Sequence, residues 1–190
     1  KLVYANGTYS QIPGADSMSL PKRYRMAAVN NLTHAYLGGG TNASQTNSNK
    51  FDKFTFATET CATKDIWPGG SYYANIDSAT ALGNQQKGFV CGGTNQSDGD
   101  ETSTVWRITY STDTLDEMPS TLTSARGDGA ITRRRFSFGK ADVGYVCGGE
   151  DEMSSSVTKI AYATETSSYA PDLWGVARMA EAVSSNTAGY

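Results

Sequence analysis

The chain has 190 residues, of which 38% are apolar and 18% charged, with 20 glycines, three cysteines, one histidine and a formal net charge of -3. That length is ample for one packed core, and so weak a charge excludes a field that would gather nucleic acid or an anionic membrane over the whole surface. No apolar run approaches the roughly 20 residues of a bilayer-crossing helix, and no basic-then-apolar leader opens the sequence.

The first element, Lys1-Leu2-Val3-Tyr4-Ala5-Asn6-Gly7-Thr8, alternates apolar and polar residues and runs into Asn6-Gly7, a pair able to take the positive φ of a hairpin turn. Arg25 then stands before a short strand at Met26-Ala27-Ala28-Val29. Next comes Ala35-Tyr36-Leu37-Gly38-Gly39-Gly40, a strand closed by a glycine pair, and a polar segment from Thr41 to Lys50. The opening phrase returns as Lys53-Phe54-Thr55-Phe56-Ala57-Thr58-Glu59-Thr60. The order repeats with Gly88-Phe89-Val90-Cys91-Gly92-Gly93, a polar segment from Thr94 to Val105, and Arg107-Ile108-Thr109-Tyr110-Ser111-Thr112-Asp113-Thr114. It repeats again with Gly144-Tyr145-Val146-Cys147-Gly148-Gly149, a segment from Glu150 to Val157, and Lys159-Ile160-Ala161-Tyr162-Ala163-Thr164-Glu165-Thr166. Arg126 and Arg178 follow Arg107 and Lys159 by 19 residues each and, as Arg25 does, stand before the last strand of their units; the second unit has Ser71-Tyr72-Tyr73 there instead.

The phrases begin at residues 1, 53, 107 and 159, in steps of 52, 54 and 52. A period near 50 with about four short strands per unit means that one unit cannot bury its faces alone and must stack on its neighbours. The side chains Phe54 and Phe56, Ile108 and Tyr110, and Ile160 and Tyr162 are expected to pack between units, and the Thr-Glu-Thr and Thr-Asp-Thr segments to form hairpin turns. The glycine-pair strand is expected to be the innermost of its unit, and the strand after each Arg the last. Lys1 starts inside one unit and Gly189-Tyr190 opens another, so the expectation is a window from a longer chain, or about a third of a unit disordered between the ends.

A strand ending in Gly-Gly, a polar loop, an aromatic-bearing strand and an Arg before a further strand together resemble the kelch superfamily. The period and pattern predict an all-β, kelch-type β-propeller spanning residues 1–190 as a single partial domain of about four repeats. The phrase at residues 53–60 followed by Gly-aromatic-Val-Cys-Gly-Gly is similar to kelch-like repeats in tail-fibre and virion proteins of large tailed bacteriophages of the cyanophage type. There is no regular Trp late in each unit, Trp67, Trp106 and Trp174 lying in different contexts, which departs from eukaryotic kelch proteins.

On such a scaffold the loops carry function. The post-glycine segments are rich in Asn, Ser, Gln and Asp, groups that hydrogen-bond sugars when an aromatic plane lies nearby. Candidate ligand-binding residues are Asn42, Asn47, Asn95, Asp98 and Asp100, with Trp67, Tyr72 and Tyr73 as planes and Arg133, Arg134 and Arg135 as a cationic cluster. Gly39, Gly40, Gly92, Gly93, Gly148, Gly149, Arg25, Arg126 and Arg178 are assigned to the repeat framework. The acidic residues Asp98, Asp100, Glu101, Glu150, Asp151 and Glu152 lack the alternating ligands of a calcium loop, so a solvated rim is expected, with no metal and no cofactor.

Cys61, Cys91 and Cys147 are odd in number, and the latter two share one repeat position, which suits small buried hydrophobes better than disulfides. The Asn-x-Ser/Thr tripeptides at Asn6, Asn31, Asn42 and Asn95 are chance matches in a Ser/Thr-rich chain. His34 stands alone, and no nucleophile elbow, phosphate loop or zinc motif is present, so the chain is expected not to be an enzyme. The resemblance implies a virion or tail-fibre propeller, made in the host cytoplasm, that binds host-surface glycan or mediates assembly. Its partners would be other virion proteins, copies of itself or host polysaccharide, with neither nucleic acid nor membrane insertion. The alternatives are a purely structural subunit of a virion or filament, and an intracellular kelch adaptor.

Overall fold

The computed structural model describes residues 2–3, 8–9, 26–40, 50–64, 76–95, 102–123, 136–148 and 155–173. Every regular element among them is a β-strand. The strands β1 (Leu2–Val3) and β2 (Thr8–Tyr9) pair antiparallel, Val3 facing Thr8, and the turn predicted at Asn6-Gly7 lies outside the described residues. A first four-stranded sheet follows from β3 (Ala27–Asn30), β4 (His34–Gly38), β5 (Phe51–Thr55) and β6 (Thr60–Lys64). After β7 (Ile76–Asp77), a second sheet is built from β8 (Thr80–Gly83), β9 (Lys87–Cys91), β11 (Val105–Thr109) and β12 (Thr114–Glu117). Between them in sequence, β10 (Thr94–Asn95) leaves the sheet to pair with β7. The third sheet is β13 (Phe136–Gly139), β14 (Val143–Cys147), β15 (Val157–Ala161) and β16 (Thr166–Ala170).

Each large sheet is an antiparallel meander in chain order, the arrangement that short connections favour. One expectation is corrected here. The glycine-pair strands β4, β9 and β14 are the second strands of their sheets, hydrogen-bonded on both sides, whereas Ala27–Asn30 pairs ahead of β4 and opens the sheet instead of closing it. A second correction concerns Thr94 to Val105, read as loop throughout, since Thr94 and Asn95 pair with Asp77 and Ile76.

The predicted hairpin turns are present at Phe56–Glu59, Tyr110–Asp113 and Tyr162–Glu165. Their last residues Glu59, Asp113 and Glu165 all take positive φ, at 52°, 54° and 53°. Four-residue hairpin loops commonly need one left-handed residue to close, and a side chain there costs about 1 kcal/mol relative to glycine. At Asp113 and Glu165 that cost is offset by contacts between sheets.

The three sheets stack in sequence order through two apolar layers. Between the first and second lie Val29, Tyr36 and Phe51 on one side and Val90, Trp106, Ile108 and Tyr110 on the other. Between the second and third lie Leu82, Phe89, Cys91 and Val105 against Val146, Ile160 and Tyr162. The second sheet is therefore covered on both faces, which is why Phe89-Val90-Cys91 reads as an unbroken apolar run and not as an alternation. Burying each large side chain contributes about 1.5–3 kcal/mol. Ile108, Tyr110, Ile160 and Tyr162 pack between sheets as their pattern predicts, but Phe56 remains 40% exposed on the outer side of the first sheet.

The two layers are also locked electrostatically by the turn carboxylates. Asp113, from the second sheet, accepts bonds from Lys53 Nζ of the first at 2.6 and 2.8 Å and from the Tyr36 hydroxyl, with Lys64 Nζ at 3.3 Å. Glu165, from the third sheet, accepts from Lys87 Nζ and Arg107 Nη1 of the second, both at 2.5 Å. Burial acts to raise the Asp113 carboxyl, but hydrogen bonds from Lys53, Tyr36 and Lys64 outweigh it and hold the group at about 2. The hydrogen bond from Arg107, followed by that from Lys87, lowers the Glu165 carboxyl against the opposing effect of burial. Cys91 and Cys147 are buried, as predicted, and burial pushes the Cys147 thiol up to about 11.

Candidate binding clefts on the turn rim

In an antiparallel meander the β3–β4 and β5–β6 turns share one rim and the glycine pairs stand at the other. The turn rim is tightly organised. Asn31 Oδ1 accepts from the backbone N–H of Thr33 and of His34, each at 2.8 Å, and from Thr33 Oγ1 at 2.9 Å. Asn84 does the same one sheet on, accepting from the N–H of Gln86 at 2.8 Å and of Lys87 at 2.9 Å. Asn side chains close such turns by imitating a backbone carbonyl. Adjacent turns are then tied together, because Leu32 N donates to Gln85 Oε1 at 2.9 Å and Asn84 Nδ2 donates to the Ala141 carbonyl at 3.1 Å.

Two clefts open between these turns. One, of about 560 Å³, lies between the first and second sheets and is lined by Asn31, His34, Gln86, Lys87, Tyr110 and Ser111 among others. The second, of about 530 Å³, lies between the second and third sheets and is lined by Gly83, Asn84, Gln85, Gln86, Lys140 and Ala141. Gln85 and Gln86 line both, so the β8–β9 turn is a partition between two neighbouring cavities of similar size. Both fall within the range of small-molecule sites.

Their chemistry is mostly neutral. Lys87 is engaged by Glu165, and Lys140 is paired with Asp142 at 3.2 Å. His34 Nδ1 lies 2.8 Å from Thr33 Oγ1. That leaves carboxamides and hydroxyls, such as those of Gln86 and Ser111, as the groups facing a ligand, with Leu32 82% exposed nearby. Tyr110 offers no stacking plane, being buried against Tyr36 with centroids 5.5 Å apart. Burial raises the Tyr36 and Tyr110 hydroxyls well above their ordinary value, with the Asp113 bond adding to the shift at Tyr36, so both stay protonated donors. Among the described residues no group of three or more His, Cys, Asp or Glu is arranged to hold a metal ion, and no helix is long and apolar enough to cross a membrane.

The sequence pointed to other residues. Asn42, Asn47, Trp67, Tyr72, Tyr73, Asp98, Asp100, Arg133, Arg134 and Arg135 lie outside the described residues, as do Gly149, Arg25, Arg126 and Arg178. Asn95 falls on β10, opposite Ile76. Gly39, Gly40, Gly92, Gly93 and Gly148 all take positive φ, from 61° to 107°, which accounts for glycine at the point where each chain leaves its strand. The turn residues Asn31 and Asn84 were passed over, although each stands eight residues before the first glycine of its pair. That shared offset was the available signal. The carboxylates of Asp113 and Glu165 were read only as turn formers, and their recurrence opposite Lys53 and Arg107 was the signal for an ion-pair role.

No protein-family model matches the chain, and no curated protein matches it. Among solved structures the chain is similar to that of YjhT, with a TM-score of 0.62 at 13% sequence identity, over 86% of this chain and 57% of that one. The likeness is one of fold, and this chain spans little more than half the length of that protein. The protein is an all-β chain of four-stranded antiparallel sheets stacked in sequence order.

Proposed function

We propose that the chain is part of a kelch-type β-propeller that does no chemistry and binds a neutral, hydroxyl-rich ligand on its turn rim. The kelch-like repeat pattern and the stacking of successive sheets through the same contacts support the propeller reading. The observation that carries the binding reading is the pair of similar clefts flanking Asn84–Gln86, lined by amides and hydroxyls whose nearby charges are already paired. Such groups suit saccharide hydroxyls, which both donate and accept. The sequence resemblance supplies the setting, a virion or tail-fibre module meeting host-surface glycan.

Single contacts of this kind are weak, and affinity would come from several copies engaging together, which can exceed one-site affinity by about 10² to 10⁴. The test is a host-polysaccharide array followed by calorimetry, with Gln86→Ala and Ser111→Ala chains beside the wild type. Both positions are exposed on turns, so the fold should survive. Loss of about tenfold in affinity, about 1.4 kcal/mol, supports the reading. Failure of the wild type to retain any polysaccharide, or equal retention by both variants, removes it. A role in assembly draws on a different feature, the exposed aromatics Phe56 and Tyr169 on the outer sheets.

A further inference from the structure

His34, half-buried at the start of β4, lines the cleft between the first and second sheets. Its register place is that of Lys87 in the second sheet, since His34 pairs with Thr55 as Lys87 does with Thr109. Lys87 is drawn across the second junction to Glu165. At the first junction the matching carboxylate is Asp113, one methylene shorter and already served by Lys53, Lys64 and Tyr36. His34 therefore takes no part in the clasp and bonds within its own turn, with Nδ1 2.8 Å from Thr33 Oγ1.

The direction of that bond follows from Asn31. Asn31 Oδ1 accepts from the backbone N–H of Thr33 and of His34, each at 2.8 Å, which identifies the atom as the carboxamide oxygen and not its nitrogen. Thr33 Oγ1 lies 2.9 Å from the same oxygen, and because that oxygen carries no proton the hydroxyl must donate to it. A hydroxyl has a single proton to give. Thr33 Oγ1 thus presents a lone pair to His34, and Nδ1 is the donor between them. In a neutral imidazole a proton on Nδ1 leaves Nε2 bare, as an acceptor. Among the described residues Nε2 has no hydrogen-bond partner. The turn that holds it is tied to the opposite wall of the cleft by the bond from Leu32 N to Gln85 Oε1.

We propose that His34 Nε2 is the hydrogen-bond acceptor of the first cleft, kept bare by the Asn31–Thr33 relay and aimed at a hydroxyl of the ligand. The proposal rests on the turn-rim reading above and narrows it. The ligand must bring a donor to the imidazole, whereas Gln86 and Ser111 both donate and accept and set no such condition. His34 is the chain's one histidine, and the second cleft carries Lys140, paired with Asp142, on the turn that matches its own. The two clefts therefore favour different edges of a saccharide.

A sole histidine makes the test direct, because one imidazole spin system reports on His34. Long-range proton–nitrogen NMR of the full chain without ligand, in alkaline buffer where imidazole is neutral, should show the proton on Nδ1. Thr33→Val should let both tautomers appear. The host-polysaccharide array supplies the binding arm. His34→Gln, whose Oε1 reaches the place of Nε2, should keep wild-type retention. His34→Asn, whose Oδ1 reaches only the place of Nδ1, should lose about three- to tenfold in affinity, as loss of one hydrogen bond would. A wild type that retains no polysaccharide removes the turn-rim reading and this proposal with it. Retention by the wild type together with a proton on Nε2, with His34→Asn equal to the wild type, or with His34→Gln weakened as much as His34→Asn, overturns the role of His34 alone.

Discussion

Tyr36 and Tyr110 lie ring on ring across the first pair of sheets, 5.5 Å between centroids and 15° between planes. Phe89 and Tyr162 repeat the arrangement across the second at 5.1 Å and 12°. Each stack stands beside a carboxylate clasp, so the apolar and ionic parts of the junction desolvate each other. Aromatic pairs of this kind are worth about 0.5–1.5 kcal/mol beyond their buried area.

Removing the acceptor of the first clasp should cost more than removing a surface charge. Asp113→Ala leaves the Lys53 ammonium and the Tyr36 hydroxyl, both held in the junction, without their partner. An expected loss of about 1–3 kcal/mol would be read from urea denaturation, and Asp116→Ala, exposed on the edge strand β12, should cost less than about 1 kcal/mol.

The same clasp sets an acid limit. Asp113 titrates at about 2 when folded, against an ordinary 3.8. A carboxyl lowered on folding stabilises the protein above its unfolded value, and that contribution is lost as pH falls from about 4 towards 2. Glu165 is lowered as well and acts in the same direction. Melting temperature should therefore fall over this window by an amount reflecting about 2 kcal/mol from Asp113, and the fall should be shallower in Asp113→Asn.

Two tyrosines at one repeat position should respond oppositely to loss of their hydroxyl. Tyr110 donates to the Asn30 carbonyl at 3.3 Å, whereas the buried Tyr162 hydroxyl has no hydrogen-bond partner and lies over Gly139 and Gly144. Tyr110→Phe is expected to destabilise by about 0.5–1.5 kcal/mol. Tyr162→Phe removes an unsatisfied buried group and should be neutral or stabilising, a difference that paired thermal melts would show.

The glycines at the second positions of β9 and β14 are set by close approach. A methyl on Gly88 would lie 2.6 Å from Val29 Cγ2 and 2.7 Å from the Tyr110 hydroxyl, and one on Gly144 would lie 2.5 Å from the Tyr162 hydroxyl and 2.6 Å from Leu82 Cδ1. Val29 and Leu82 belong to the adjacent sheet and Tyr110 and Tyr162 to the glycine's own, and all four are buried. Gly88→Ala and Gly144→Ala are each expected to cost about 1–3 kcal/mol by overpacking, measured as a lowered denaturation midpoint.

What the residues determine by themselves is local and periodic. Alternation in Lys53–Phe56 and its counterparts makes strands, the glycine pairs supply positive φ where strands end, and the recurrence of both phrases dictates identical units that must share faces. Strand order was less legible. Nothing local tells Ala27–Asn30 whether to pair with the strand before it or with β4 after it, because a short apolar segment fits either edge, and only the sheet's hydrogen-bond register decided. The clefts were invisible for the same reason. Gln86 and Ser111 sit far apart in sequence and look like ordinary turn residues, and they meet only because the hairpin ends of one sheet share a rim. Asp113 and Glu165 show the division most plainly. Their place in the phrase follows from the turn that needs a left-handed residue, but their partners are one sheet away, and stacking alone chose Lys53 and Arg107 for them.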